Sequence, residues 1–179
     1  MKMYTAGAIG ILAFVVAQTC QEFIKAAWIP YAILGTIVWL LVPYTALAIT
    51  RFPKTPMAAV IGFVFFGFFV LTEAVARGTE LFAAPTDLRG WHFVTMTSYL
   101  LASVSFAVAT WRDEPRWHWL APAAFILNAL RLCGRIASTF GGATWLDPLN
   151  DWAYYPFVLA VNGPLLAWFV LKARSLVES

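Results

Sequence analysis

The strongest constraint on this chain is its division into apolar runs of roughly twenty residues, each closed by a short charged or proline-bearing break. Coiled as an α-helix at about 1.5 Å per residue, such a run spans the ~30 Å hydrocarbon core of a bilayer. Runs and breaks together predict six transmembrane helices, at about 3–23, 30–50, 57–77, 91–111, 119–139 and 152–171. Arg51-Phe52-Pro53-Lys54 closes the second, and Arg112-Asp113-Glu114-Pro115-Arg116 closes the fourth. Composition decides between membrane and water. Only 12% of the 179 residues are charged and 61% are hydrophobic, whereas a soluble domain carries about 25% charged residues. The chain lacks the polar groups to cover a water-soluble globule. The expected fold class is therefore an all-α integral membrane protein, one domain over 1–179, folded as a compact bundle of six transmembrane helices.

The net charge of +3 does not point to nucleic acid, because the basic residues punctuate apolar runs and form no patch or arm. They read instead as topology determinants. With the N-terminus inside, Lys2, Arg51, Lys54, Arg112, Arg116, Lys172 and Arg174 fall on the inner side. Lys25, Arg77, Arg89, Arg131 and Arg135 fall on the outer side or in outer half-helices, seven against five. The positive-inside rule then favours both termini inside, in a plasma (inner) membrane of bacterial type. Trp28, Trp91, Trp111, Trp117, Trp119, Trp145 and Trp152 all fall near expected interfaces, as in an aromatic belt. Lys2 before the apolar run Ala6 to Ala17 imitates a signal peptide, and the region before Cys20 a lipoprotein cleavage site. Gln18 and Thr19 replace the small residues that such a site needs, so this run is read as a retained first helix.

Polar residues enter the spans in a pattern. The first helix ends with Gln18, Glu22 and Lys25, the third carries Glu73, Arg77 and Glu80, and the fifth carries Asn128, Arg131 and Arg135. Each set falls on one helical face, toward the outer end of an outward-running helix. Asn128 and Arg131 lie deepest, roughly 14–18 Å from the inner boundary. A charge at that depth costs at least about 2.5 kcal/mol, so Arg131 is expected to face the bundle interior with a partner. Glu73 is the expected partner, with Asn162 and Gln18 completing the network. The expected ligand-binding residues are Gln18, Glu22, Glu73, Arg77, Asn128, Arg131, Arg135 and Asn162. Arg131 and Arg135 form a two-arginine step suited to a carboxylate or phosphate. The competing reading is polar glue between helices.

Other features carry less. The run Phe63 to Phe69 goes right round its helix and reads as lipid-facing or packing surface. Pro43 and Pro164 fall within spans, where proline removes a backbone bond and kinks a helix. Simple kinking is the expectation; Asn162-Gly163-Pro164 is the place where a break with freed carbonyls would fall. Ala6 to Gly10 and Ala13 to Ala17 place small residues four apart, which permits close helix approach to another helix or to a partner subunit. Cys20 and Cys133 form no metal spacing and read as small buried hydrophobes. His92 and His118 fall near opposite faces, so one haem held by both is not expected. The segments 81–91 and 141–151 read as interfacial connectors or as lids.

No motif of an enzyme class occurs, so catalysis is not the expectation and no metal or haem cofactor is implied. The leading expectation is a polytopic membrane protein that binds or transports a small anionic or amphiphilic molecule, or a lipid. It would do so through an outward-facing polar pocket among the first, third, fifth and sixth helices. In size and helix count the chain is similar to the substrate-binding membrane subunits of energy-coupling-factor vitamin transporters. The alternatives are a non-catalytic assembly subunit of a larger membrane complex, or an intramembrane lipid-modifying enzyme using Glu73, Asp87 or His92. Beyond the bilayer, a second copy or a partner membrane subunit is the expected company.

Overall fold

The computed structural model describes the backbone of residues 1–23, 29–82, 89–111, 117–149 and 154–178, and the side chains of 1–19, 39–76, 90–111, 117–146 and 156–178. Among them are six α-helices and no strand. The helices are α1 (Lys2–Phe23), α2 (Ile29–Arg51), α3 (Pro56–Phe82), α4 (Arg89–Thr110), α5 (Leu120–Gly141) and α6 (Tyr154–Ser175), with a 3₁₀ turn at Thr144–Leu149. The number agrees with the sequence reading. The largest difference is α3, which continues past Arg77 to Phe82.

Local chemistry sets the ends. Pro53 stops α2, and Pro56 opens α3 in the first helical position, where its missing N–H costs nothing. Thr55 ties the turn down by donating its hydroxyl to the Ala109 carbonyl at the end of α4. α5 closes on Gly142, whose φ of 71° is the left-handed conformation that favours glycine and whose N–H returns to the Ala137 carbonyl. Pro43 and Pro164 both lie inside continuous helices, so the Asn162-Gly163-Pro164 segment does not break α6.

Each helix packs against its neighbours in sequence, and α6 closes the ring on α1. The helices alternate in direction. Arg51 at the end of α2 reaches Tyr4 at the start of α1, while Phe93 near the start of α4 meets Phe140 at the end of α5. Both chain termini therefore lie at one end of the bundle, here termed proximal. The opposite end is distal. Approach is closest along α1. A Cβ on Gly10 would stand 2.6 Å from Pro43 Cδ, and one on Gly7 would overlap the Phe169 ring. The small-residue spacing at Ala6 to Gly10 thus serves a contact within the chain.

Rings fill the middle. Tyr44 of α2 stacks on Phe66 with centroids 3.8 Å apart, and meets Phe106 of α4 and Phe125 of α5 edge-on. Phe69 stacks on Tyr99. The phenylalanine run of α3 is therefore divided: Phe66 and Phe69 are buried, and Phe63 and Phe68 face outward. Small hydroxyls on the inner side of α4 satisfy themselves. Thr95, Ser103 and Thr110 donate to the carbonyls of Trp91, Tyr99 and Phe106.

The outer surface is apolar on every helix, with Leu12, Ile49, Leu71, Val108, Leu130 and Leu159 all exposed. Cys133 is exposed too, on the α5 face that carries Ile126 and Leu130. This corrects the expectation that it is buried, and the reason is that a greasy outer face suits a small apolar side chain equally well. Cys20 lies outside the described side chains. Among the described residues, five helices are long and apolar enough to cross a membrane, at Lys2–Thr19, Pro56–Ala76, Gly90–Thr110, Leu120–Gly141 and Pro156–Ser175. A soluble monomer rarely exposes an apolar patch beyond a few hundred Å², so a girdle of this kind suggests a membrane protein.

Candidate functional site

The most demanding residue in the bundle is Arg131. It sits at the midpoint of α5, roughly 16 Å from the first residue of a helix roughly 33 Å long. Its side chain is 8% exposed. Asn128, one turn earlier on the same face, accepts from the guanidinium with its Oδ1, from Nε at 3.2 Å and from Nη2 at 3.1 Å. Because arginine can only donate, this fixes the amide orientation and turns Nδ2 outward. Nδ2 donates to Ser103 Oγ on α4 at 2.8 Å, and Ser103 in turn donates to the Tyr99 carbonyl at 2.8 Å. Every bond in the series runs in one sense, from guanidinium through amide and hydroxyl to carbonyl, so each polarises the next.

The Tyr99 ring carries the polar layer across to α2. Tyr44 donates its hydroxyl to the Tyr99 hydroxyl at 3.0 Å, and Arg131 is close enough to Tyr44 for its charge to act on that hydroxyl. The site thus draws on α2, α4 and α5. It lies between roughly 10 and 16 Å along each helix from the proximal end. Removing the Tyr44 hydroxyl alone leaves the stack on Phe66 intact. Tyr44→Phe is expected to lower stability by only about 1 kcal/mol, read as a small drop in the midpoint of detergent-induced unfolding. A loss as large as that of a core truncation would show that the phenol, and not the ring, holds the core.

The expected residues are distributed differently from the sequence reading. Asn128 and Arg131 come together. The acceptor that the structure gives Arg131 is Asn128. Glu73 is half-buried on α3, roughly 25 Å along its helix from the proximal end and so about 9 Å beyond Arg131. α3 packs against α2 and α4, whereas α5 packs against α4 and α6. Asn162 is buried on α6 but donates to the Val158 carbonyl of its own helix at 2.8 Å. Gln18, Glu73 and Arg135 are half-buried, each engaged in interactions of its own. They stand at similar heights toward the distal end, roughly 22–25 Å along their helices. The backbone of Glu22, Arg77 and Glu80 belongs to α1 and α3, but their side chains lie outside the described residues, as does Lys25 entirely. His92 and His118 lie at opposite ends of the bundle.

Three residues of the site were not anticipated: Ser103, Tyr99 and Tyr44. The sequence does hold a signal for the first two. Thr95, Ser98, Tyr99, Ala102, Ser103, Phe106 and Thr110 recur at helical spacing and mark the inner face of α4. Tyr44 carries no such mark, since its neighbours on the same helical face, Leu40, Leu41, Leu47 and Ala48, are apolar. The chain matches no protein-family model, no curated protein and no solved structure.

Proposed function

We propose that this protein is an integral membrane protein, with both termini on the cytoplasmic side of a bacterial-type plasma membrane, that binds or transports a small anionic or amphiphilic molecule. The observation that carries the reading is the buried cation at mid-depth, oriented by the Asn128 amide oxygen through both Nε and Nη2. A charge kept at that depth is costly and marks a functional candidate, and an oriented guanidinium suits an anionic group. Lys2, Arg51, Lys54, Lys172 and Arg174 all lie toward the proximal end, which favours that end as cytoplasmic. Gln18, Glu73 and Arg135 supply a polar layer between the cation and the distal side, the side from which a ligand would enter.

Native mass spectrometry of gently extracted protein tests this reading. The wild type is expected to retain an anionic small molecule or lipid, and Arg131→Met to lose it by a factor of about ten or more while keeping its helical signal. Equal retention by both rejects the central site. Reproducible copurification of other membrane chains, without a retained small molecule, favours the assembly-subunit reading instead.

A further inference from the structure

A second polar cluster lies at the proximal end, built from residues that the central site does not use. Arg51, the last residue of α2, is 2% exposed. Its Nη2 donates to Tyr4 Oη at 3.0 Å, and its Cζ stands 5.3 Å from the centroid of the Trp168 ring. Trp168 is 0% exposed, and among the described residues its indole N–H has no acceptor. Lys172, one turn further along α6, is 9% exposed. Tyr4 spends its oxygen as an acceptor for Arg51 and keeps its own proton to give.

The ordinary explanation is that cations in the last turns of α2 and α6 complement the helix C-termini and anchor the interface. That explanation predicts exposed heads that reach water, yet Arg51 and Lys172 are buried. It also says nothing of an uncharged indole N–H left buried without an acceptor, which is an unfavourable arrangement.

We infer that this cluster is a binding site for a phosphate-type oxyanion, borne by a lipid headgroup or free in solution. A guanidinium fork, an ammonium, an indole N–H and a phenol come from three helices. Donors arriving from several directions suit a tetrahedral oxyanion better than a planar carboxylate, and the arginine fork matches phosphate oxygens. The Trp168 ring holds the guanidinium from one side by cation–π contact while offering its N–H in the ring plane. This site is independent of the central one: its residues lie on α1, α2 and α6, and it stands or falls without Arg131.

The test uses the full-length protein with ¹⁵N-labelled tryptophan, washed in dodecyl maltoside, a detergent without phosphorus. The Trp168 indole resonance is identified by its loss in Trp168→Phe, which keeps a packing ring and removes the donor. Inorganic phosphate and short-chain phosphatidylglycerol are added in separate titrations. The expected result is movement of the Trp168 resonance, with the apparent affinity reduced about tenfold in Lys172→Gln. Movement with phosphatidylglycerol alone assigns a lipid headgroup, and movement with inorganic phosphate alone assigns a free anion. One phosphorus atom per chain that survives washing in the wild type and is lost in Lys172→Gln supports a lipid already in place. No movement with either probe and no retained phosphorus overturns the site, as does a response that Lys172→Gln leaves unchanged.

Discussion

Replacing Asn128 with leucine is expected to destabilise the bundle by about 3 kcal/mol, although leucine is the more apolar residue and nearly the same size. The amide oxygen is the acceptor for two donors of Arg131. Its loss takes that acceptor from both donors of a guanidinium at mid-depth. Ser103 is not harmed by the change, because its hydroxyl still donates to the Tyr99 carbonyl. Replacing Arg131 with methionine removes the charge together with its need, so the expected cost is within about 1 kcal/mol and can fall below zero. The double variant Asn128→Leu/Arg131→Met should then recover most of what the first change loses. Unfolding in mixed micelles of rising dodecyl sulfate content measures all three. If Arg131→Met is as damaging as Asn128→Leu, the cation is holding helices together and the functional reading loses its main support.

The second large effect is steric. Gly10→Leu is expected to cost about 3 kcal/mol or more, measured in the same unfolding assay. The new Cβ alone would lie 2.6 Å from Pro43 Cδ and 3.0 Å from the Trp39 carbonyl oxygen. One is part of a buried ring and the other is backbone, so neither can swing aside. α1 must lift away from α2, and in lipid the packing so lost is the main force that joins two helices. Gly67→Ala provides the control, since a Cβ there meets nothing within 4 Å. It is expected to be neutral or to stabilise by up to about 1 kcal/mol through helix propensity. Similar losses at both glycines would mean that the α1–α2 contact is looser than the geometry indicates.

The sequence made the six helices legible because length and polarity are nearly decisive for apolar runs. Pro53 and the charges of 112–116 marked the breaks without help from packing. It also made the depth of Arg131 legible, since depth follows from counting residues along a helix. Partners were another matter. Glu73 looked right for Arg131 because opposite charges attract, but pairing depends on which helices are neighbours. α4 and its Ser103 stand beside Asn128, while Glu73 stands about 9 Å further along a helix that packs on α2 and α4. Helical periodicity says which face a residue shares, not which helix that face meets. The proximal cluster was hidden for a related reason. Arg51 and Lys172 read as topology determinants, and only the fold brings Tyr4, Arg51 and Trp168 together from distant parts of the chain.

Because spatial order around the ring repeats the order of synthesis, most helix–helix packing among the described residues joins segments made one after the other. Contacts of such short sequence separation carry little loop-closure entropy, a property of chains that fold fast. Each hairpin can pack as it emerges, leaving an open crescent until the last helix arrives. The seam between the first and sixth helices then joins the two ends of the chain, latched by the Phe169 ring over Gly7. Assembly finishes there, and the same seam is where mechanical pulling on the two termini would begin to undo it.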